Sequence, residues 1–262
     1  MTESGVAGAI GPFHYPGHGP NAGTGIALCH GFTGSPLSML PWAEYLADQG
    51  FAVDVPLLPG HGTDWQDLAR TSWHDWYGAF ESSYLALAET TASCFVAGLS
   101  MGGAVALRVA ARHPVSGVAV VNPGLSFYDR RVRYVGALKH FMRTTAPVEE
   151  QEPTATPTDD GDYSRTPLSA VHELKKLFRS SYRSLPAVSA PTLLFASARD
   201  SVVPPSSLSM IRRRLGSRDF QVVTLPRSGH VATLDVDAPT ILAESSRFFL
   251  QHAANRVASE SS

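Results

Sequence analysis

Five consecutive residues near the middle of the chain have the types and spacing of a serine nucleophile held in a tight turn. Residues 98–102 read G-L-S-M-G, the G-x-S-x-G pattern in which a serine lies between a strand and a helix. Residues 92–96 before it form an apolar run that suits a buried strand, and residues 104–107 after it favour a helix. Because such a turn is strained, small residues are needed on both sides of the serine. We therefore predict that Ser100 projects from the end of a strand, where its hydroxyl can attack a carbonyl carbon.

A glycine-flanked serine also occurs by chance, so this interpretation requires a base and an acid elsewhere in the chain. Asp200 follows a predicted strand at residues 192–197, and His230 follows another at residues 220–225. The order Ser, Asp, His is the order of the α/β-hydrolases. In this interpretation His230 takes the proton of Ser100 and returns it to the leaving group, while Asp200 holds the imidazole tautomer and stabilises the imidazolium.

The tetrahedral oxyanion formed by such an attack needs two backbone N–H donors. Met101, at the start of the predicted helix, is expected to supply one of them. Phe32 is expected to supply the other, because it lies in the glycine-rich loop after the strand at residues 25–29. Neither position requires a particular side chain, so these two assignments rest on geometry alone.

Several neighbouring polar residues are given structural roles instead. Asp235 and Asp237 are rivals to Asp200 as the acid, but both follow His230 and are expected to cap the last helix. His30 is expected to brace the turn before the oxyanion loop by hydrogen bonding, and His61 is expected to be structural. For His230 itself, the alternative is an ordinary surface hydrogen bond.

The composition restricts the remaining classes of function. The chain has 262 residues, of which 44% are hydrophobic and 17% charged, and its formal net charge is −2. These values are typical of a globular protein and give no reason to expect nucleic acid as a partner. The ten histidines have no spacing typical of metal ligands, so we expect no metal site.

The sequence also carries a prediction about the compartment. Residues 1–11 lack the basic start and the apolar run of a signal peptide, and no apolar stretch is long enough to span a membrane. Cys29 and Cys94 fall inside predicted buried strands, where a thiol behaves as a small hydrophobic group. Nothing supports a disulfide between them, so we expect a reduced, cytoplasmic protein.

Predicted strands and helices alternate along the chain in the manner of a parallel sheet. Predicted strands cover residues 13–15, 25–29, 51–55, 92–96, 118–121, 192–197 and 220–225. Predicted helices cover residues 37–49, 72–89 and 206–215, and a last helix opens at Asp237. This order predicts an α/β-hydrolase fold, with a mostly parallel central sheet, helices on both faces and functional groups at the carboxyl edge. The aromatic stripe of the helix at residues 72–89 is assigned to the core.

One connection is far longer than the others. About 65 residues separate the strand at residues 118–121 from the next convincing strand, which favours an inserted cap at residues 124–188. The core then consists of residues 1–123 and 189–262. Within the cap we predict a basic amphipathic helix over residues 128–143, an irregular acidic stretch over residues 147–162, and an apolar helix after residue 168 that lies over the serine turn.

Four segments together resemble a known family. HGFTGSP at residues 30–36, GLSMGG at 98–103, VVPP at 202–205 and HVATLD at 230–235 resemble the bacterial carboxylesterase and thermostable monoacylglycerol lipase group. The resemblance extends from about residue 25 to residue 249. It implies a capped α/β-hydrolase without a cofactor that cleaves short to medium acyl esters or monoacylglycerols. It also implies Ser100, Asp200 and His230 as the triad, with Phe32 and Met101 forming the oxyanion hole.

Two positions depart from the pattern of that group. Ser201 stands where relatives usually have a histidine after the acid of the triad, so one side-chain contact beside Asp200 is lost. Relatives that cleave monoacylglycerols bind the glycerol through a cap glutamate three residues before a tyrosine. Here that tyrosine is Tyr163, and the matching position is Asp160, a shorter carboxylate. The resemblance therefore implies Asp160 as a glycerol-binding residue.

The sequence thus predicts a serine carboxylic-ester hydrolase that acts through an acyl-enzyme on a small-molecule acyl ester or monoacylglycerol, with the acyl chain under the cap. Two alternatives stay open. One is a triad enzyme for another bond, such as a thioesterase or a cofactor-free perhydrolase, and the other is a non-catalytic binding protein with this fold. Arg130, Arg131 and Arg133 leave a transient contact of the cap with lipid open. The sequence does not determine the oligomeric state.

Overall fold

The central feature of the protein is a seven-stranded sheet. The structure is a computed structural model, and it describes residues 11–139, 142–145, 163 and 165–260. Two short additional strands form a separate pair. In chain order the strands are β1 (Phe13–Tyr15), β2 (Thr24–Cys29), β3 (Ala52–Val55), β4 (Ser93–Leu99), β5 (Val118–Val121), β6 (Thr144–Thr145), β7 (Thr166–Pro167), β8 (Thr192–Ser197) and β9 (Phe220–Leu225). The order in the large sheet is β1-β3-β2-β4-β5-β8-β9, and only the β1–β3 pair is antiparallel. The predicted mostly parallel sheet is confirmed.

Helices cover both faces of this sheet. They are α1 (Leu40–Asp48), α2 (Trp65–Leu68), α3 (Trp73–Thr90), α4 (Met101–Ala110), α5 (Val135–Leu138), α6 (Leu168–Ser184), α7 (Ser206–Arg214) and α8 (Ala238–Glu260). Every residue of β2, β4 and β5 is buried, which explains why these strands read as continuous apolar runs rather than as alternating ones. The positions of the strands and long helices in the core agree with the sequence prediction.

Two hydrophobic clusters lie on opposite faces of the sheet. On one face α1 and α8 pack together, and the indole nitrogen of Trp42 donates a hydrogen bond of 2.9 Å to Ser245 Oγ between them. On the other face α3, α4 and α6 pack together. The predicted aromatic stripe of α3 belongs to this second cluster, and its members Trp73, Trp76, Tyr77, Phe80, Tyr84 and Leu87 are all buried. Their assignment to the core is therefore confirmed.

The segment between β5 and β8 differs from its prediction in one respect. In place of one helix over residues 128–143, the described part contains a 3-10 turn at Arg130–Tyr134 and the single turn of α5, and β6 follows at Thr144–Thr145. The apolar spacing that suggested a helix is present, but among the described residues of this stretch only Val135 is buried, so little packing supports a longer helix there. The predicted irregular stretch at residues 147–162 lies outside the described residues.

The second predicted helix of that segment does form, as α6, and it packs on the helix that follows Ser100. Ser181 Oγ donates a hydrogen bond of 2.8 Å to the Ala104 carbonyl of α4. The ring of Phe178 fills the space at Gly124, where an added Cβ would lie only 2.5 Å from the ring. Helix α6 is thus fixed against the elements around Ser100, as the apolar pattern predicts.

The strand register also bears on the cysteines. Cys29 lies opposite Gly98, whereas Cys94 lies opposite Gly25, so the two residues are four positions apart on the neighbouring strands β2 and β4. At about 3.3 Å per residue, this places them about 13 Å apart along the strands, well beyond the reach of a disulfide. Burial also raises the pKa of the Cys29 thiol.

Candidate active site

Ser100 occupies the sharp turn between β4 and α4. Its backbone has φ 56° and ψ −115°, a conformation that residues with a side chain rarely adopt. The two glycines of the pattern are required by contact. A Cβ on Gly98 would lie 2.4 Å from the Gly102 carbonyl, and a Cβ on Gly102 would lie 2.1 Å from the Cys29 carbonyl oxygen. The strand-turn-helix geometry predicted from the pentapeptide is therefore present.

The structure brings Ser100, His230 and Asp200 into one hydrogen-bonded chain. Ser100 Oγ lies 2.8 Å from His230 Nε2, and His230 Nδ1 lies 2.9 Å from Asp200 Oδ2. A carboxylate can only accept, so Nδ1 carries the proton and Nε2 is left to accept from the Ser100 hydroxyl. The side chains of His230 and Asp200 are 7% and 8% exposed, which keeps water away from their bond.

The remaining oxygen of Asp200 is also occupied. Its Oδ1 accepts hydrogen bonds of 2.8 Å from the backbone N–H groups of Val202 and Val203. These two bonds orient the carboxylate so that Oδ2 faces the imidazole. The carboxylate is therefore held by its own loop, which begins where β8 ends.

Asp235 and Asp237, the rivals to Asp200 as the acid, both contact the loop before His230. Asp237 Oδ2 accepts from the amides of Arg227 and Ser228 at 2.8 and 3.0 Å, and Asp235 Oδ2 accepts from the amide of Gly229 at 2.8 Å. Asp237 does stand at the start of α8, because its carbonyl accepts from the amides of Thr240 and Ile241, but its carboxylate accepts from the loop.

The loop after β2 passes beside Ser100. A Cβ added to Gly31 would lie 3.7 Å from the Cβ of Ser100. The next residues are Phe32, whose carbonyl accepts a hydrogen bond of 2.6 Å from Thr33 Oγ1, and Thr33, which has φ 64°. Met101 lies directly after Ser100 at the first position of α4, where backbone N–H groups have no partner within the helix. Of the two backbone positions chosen as oxyanion donors, Met101 directly follows Ser100, and Phe32 follows Gly31, which lies beside it.

His30 holds the start of this loop. Its Nδ1 donates to the Gly31 carbonyl at 2.9 Å, and its Nε2 accepts from the Leu58 amide at 3.1 Å. The ring is fully buried, and burial lowers its pKa to about 4. His30 therefore remains a neutral brace between two loops, as predicted.

His61 packs against His30 in the same aromatic group. Its ring centroid lies 5.0 Å from that of His30, 6.3 Å from that of Phe32 and 5.7 Å from that of Trp76. Burial, with a smaller contribution from His30, lowers the pKa of His61 to about 3. The predicted structural role of His61 agrees with this packing.

Two further positions from the sequence analysis, Asp160 and Ser201, make no described contact with the three side chains. Asp160 lies outside the described residues. Ser201 is exposed beside Asp200.

Within the described ranges, no three His, Cys, Asp or Glu side chains are grouped so that they could hold a metal ion. Among the helices described, none has the length and apolar character needed to cross a membrane.

Sequence reasoning missed Asn122, which contacts the main chain of His230. Asn122 follows β5, has φ 45° and is 4% exposed, and its amide nitrogen donates to the His230 carbonyl at 2.7 Å. The one local signal is an asparagine followed by Pro-Gly at the end of a buried strand, since asparagine tolerates a left-handed backbone. That signal indicates a turn but says nothing about the residue 108 positions away.

Tyr163 was also assigned no direct contact from the sequence. Its hydroxyl donates a hydrogen bond to the Gly60 carbonyl, which joins the β5–β8 segment to the loop that contains His61. The segment is therefore attached to the core on this side as well as through α6.

The sequence of the chain is similar to one protein family and to several individual proteins. The family model Hydrolase_4, described as serine aminopeptidase S33, matches residues 21–237. Over 248 residues the chain is 35% identical to a thermostable monoacylglycerol lipase of Bacillus sp. (strain H-257), covering 91% of this chain and 95% of the relative. It is also 26% identical to a carboxylesterase of Bacillus subtilis (strain 168), covering 80% and 85% of the two chains. The predicted resemblance is confirmed.

Solved structures give the same fold. A structure from work on LipS and LipT, two metagenome-derived lipolytic enzymes, superimposes with a TM-score of 0.80 at 30% identity, covering 93% of this chain and 98% of the other. A monoglyceride lipase of Saccharomyces cerevisiae superimposes with a TM-score of 0.77 at 14% identity, covering 95% and 98%. At that low identity the second comparison concerns the fold alone. The predicted α/β-hydrolase fold is confirmed.

Proposed function

The chain belongs to the Hydrolase_4 family, described as serine aminopeptidase S33, and is a carboxylic-ester hydrolase, and we propose that Ser100, His230 and Asp200 are its catalytic triad. The observation that carries the assignment of residues is the continuous bonding from Ser100 Oγ to His230 Nε2 at 2.8 Å and from His230 Nδ1 to Asp200 Oδ2 at 2.9 Å. No movement is needed to begin the reaction, because the nucleophile and its base are already within hydrogen-bond distance.

The reaction follows from these contacts. Ser100 Oγ attacks the ester carbonyl carbon while its proton passes to His230 Nε2, and the positive imidazolium is stabilised by Asp200. The tetrahedral intermediate collapses, the bond to the alkoxy group breaks, and the leaving alcohol takes the proton from Nε2. Water then attacks the acyl-enzyme with His230 again as the base, which releases the acid and restores Ser100.

The backbone N–H groups of Phe32 and Met101 form the proposed oxyanion hole. Met101 follows Ser100 in the first turn of α4, and Phe32 follows Gly31, whose backbone lies beside Ser100. In a site shielded from water, such a donor stabilises the transition state by about 3 to 4 kcal/mol. His30 supports this arrangement indirectly, because it fixes the carbonyl of Gly31 and the amide of Leu58.

The substrate class is proposed from the relatives and from the segment between β5 and β8. We take residues 124–188 as the cap, and residues 1–123 with 189–262 as the core. Helix α6 buries the apolar side chains of Leu177 and Phe178 on the side of the core that holds α4, so the acyl chain is proposed to lie against apolar groups of the cap. The monoacylglycerol lipase among the relatives favours a glycerol ester as substrate, with Asp160 as the glycerol-binding residue.

A transient contact of the cap with lipid is proposed from its outer surface. Large apolar side chains and arginines are exposed together there: Tyr128, Arg130, Arg131, Arg133, Tyr134, Leu138 and Met142. Such a surface can insert apolar groups into a lipid interface while its cations face anionic headgroups. Sedimentation with vesicles containing phosphatidylglycerol tests this, and equal binding by wild type and Tyr134→Ser would contradict it.

Labelling with a fluorophosphonate probe, followed by peptide mapping, tests the catalytic assignment. We expect covalent modification of Ser100 and loss of esterase activity in proportion to labelling. A folded protein whose Ser100 remains unmodified would overturn the proposal and favour a non-catalytic binding protein. A panel of p-nitrophenyl esters, monoacylglycerols and acyl-thioesters, with a parallel perhydrolysis assay, distinguishes ester hydrolysis from the thioesterase and perhydrolase alternatives.

A further inference from the structure

Asn122 connects the end of β5 to β8 and to the loop that carries His230. It is the first residue after β5, and its backbone N–H donates to the Phe195 carbonyl of β8 at 2.9 Å. Its side-chain oxygen accepts from the Ser197 amide, at the end of β8, at 2.8 Å. The Asn122 amide therefore holds the strand that leads to Asp200.

The side-chain nitrogen of Asn122 reaches the loop that carries His230. It donates to the His230 carbonyl at 2.7 Å, to the Gly229 carbonyl at 3.3 Å and to Ser197 Oγ at 2.9 Å. An amide group has two N–H bonds, so the longer contact with Gly229 shares a hydrogen with one of the others. Asn122 thus contacts the main chain of the proposed base and the strand before the proposed acid.

The backbone N–H groups of the same loop donate hydrogen bonds to carboxylates. Asp237 accepts from the amides of Arg227 and Ser228, and Asp235 accepts from the amide of Gly229. Ser228 Oγ in turn accepts from the Asp237 amide at 2.9 Å. This loop follows β9 and belongs to no sheet or helix, so these side chains replace the ladder bonds that fix a strand.

We propose that Asn122 is a positioning residue for the reaction, whose amide holds the His230 main chain so that the imidazole stays aligned with Ser100 and Asp200. The inference rests on the function proposed above. The position of Nε2 depends on the position of the His230 Cα, and that atom lies in an irregular loop. Because a displacement of about 1 Å can cost about 100-fold in rate, a loosened loop lowers the rate of the chemical step before it affects substrate binding.

The chemistry of the position suits asparagine in particular. Aspartate has nearly the same shape and still accepts from Ser197, but it donates nothing to the carbonyls of Gly229 and His230. Glycine keeps the backbone at φ 45° without strain and removes every side-chain bond. The two variants separate loss of the donor from disturbance of the backbone.

The test compares Asn122→Asp and Asn122→Gly with Ser245→Ala as a matched control. Ser245 also makes a buried bond between two elements, with Trp42, but on the face of the sheet covered by α1 and α8. Turnover is expressed per active site, titrated with a fluorophosphonate, so that unfolded protein does not contribute. We expect kcat of both Asn122 variants to fall 10- to 100-fold with KM within about twofold, and kcat of the control to stay within about twofold while its Tm falls.

The rate of fluorophosphonate labelling gives a second readout, since it depends on the contact between Ser100 and His230 but not on a leaving alcohol. We expect it to fall by about the same factor as kcat in both Asn122 variants. If kcat per titrated site stays at the wild-type value while Tm falls, Asn122 is merely structural and the inference is overturned. A rise in KM with unchanged kcat overturns it as well.

The two proposals fail in different ways. If wild-type Ser100 is not labelled at all, the proposed function fails. If wild-type Ser100 is labelled and the Asn122 variants react at the wild-type rate, only the positioning role fails. Asn122→Gly keeps the test decisive if the aspartate variant does not fold.

Discussion

The loop that carries His230 and the outer part of the segment between β5 and β8 differ in how far their side chains are exposed. The backbone of residues 227–230 is bonded by the buried side chains of Asn122 and Asp237 and by the partly buried side chain of Asp235. The outer part of the segment instead leaves Tyr128, Tyr134, Leu138 and Met142 exposed by 38% to 55%. The comparison indicates that the loop of His230 is held by enclosed polar bonds, whereas the outer part of the segment presents its large apolar side chains to solvent.

Two aspartates illustrate the difference with nearly identical bonds. Asp237 accepts from the amide of Arg227 at 2.8 Å and from its Nε at 3.1 Å. Asp129 accepts from the amide of Arg131 at 2.8 Å and from its Nε at 2.9 and 3.1 Å. The carboxylate of Asp237 is 4% exposed and that of Asp129 is 48% exposed. Burial alone would raise the pKa of Asp237, and the bonds from Arg227 and Ser228 outweigh it, so that the pKa lies below its ordinary value.

The largest effect is expected at Ser100. Ser100→Ala removes the nucleophile, and we expect turnover of p-nitrophenyl esters to fall at least about 1,000-fold. Alanine has the same difficulty as serine at φ 56°, so Tm should change little. Steady-state kinetics and thermal unfolding measure both quantities. Activity close to that of wild type would identify a different nucleophile.

The paired aspartates test burial directly. Asp237→Ala leaves the buried amide of Ser228 and the partly buried amide of Arg227 without their acceptor, which should lower the free energy of unfolding by about 2 to 3 kcal/mol. We also expect a lower kcat, because the same amides belong to the loop of His230. Asp129→Ala removes the matching bonds at an exposed position and should leave stability and kcat unchanged. Urea unfolding of the two variants checks the prediction, and equal losses would contradict the distinction between the two regions.

Acid should lower the free energy of unfolding through two buried histidines, His30 and His61, in the loops after β2 and β3. In the folded protein the pKa values of His30 and His61 are about 4 and about 3, below their ordinary value of 6.5. The unfolded chain therefore binds more protons between about pH 6.5 and pH 4, so their contribution to stability is complete above pH 6.5 and is lost as the pH falls. Each histidine contributes about 1.4 kcal/mol per pH unit within this window.

Urea unfolding at several pH values between 7 and 5 measures this slope. His61→Phe keeps an aromatic ring beside Phe32 and Trp76 but removes one titrating group, so the slope should be smaller than that of wild type. A variant with the wild-type slope would show that the buried ring of His61 is not the source of the acid sensitivity.

The smallest effect on the chemistry is expected from the cap. Asp160→Ala should weaken the use of monoacylglycerols while largely sparing p-nitrophenyl esters, since those substrates lack the glycerol that its carboxylate is proposed to bind. Values of kcat/KM for both substrate types check this. Equal losses on the two would remove the assignment and place residue 160 among the groups that serve the general reaction.

The parts of the fold that sequence predicted are those with a local cause. The buried strands β2, β4 and β5 follow from continuous apolar runs, and the turn at Ser100 follows from two glycines that no other residue could replace without a clash. The same local reasoning failed at residues 128–143, where a helical spacing is present but little of it is buried. Periodicity shows which face could be buried, not whether another element covers it.

By itself, the sequence determined the order of the strands along the chain, the types of the reacting side chains and the loops that hold them. Only the tertiary structure decided which polar groups meet, such as Asn122 with His230 across 108 positions, or the carboxylates of Asp235 and Asp237 with the amides of Gly229 and Ser228. The reason is physical. A turn or a strand is specified by neighbouring residues, whereas a buried donor is satisfied by whichever acceptor the packed chain brings within about 3 Å.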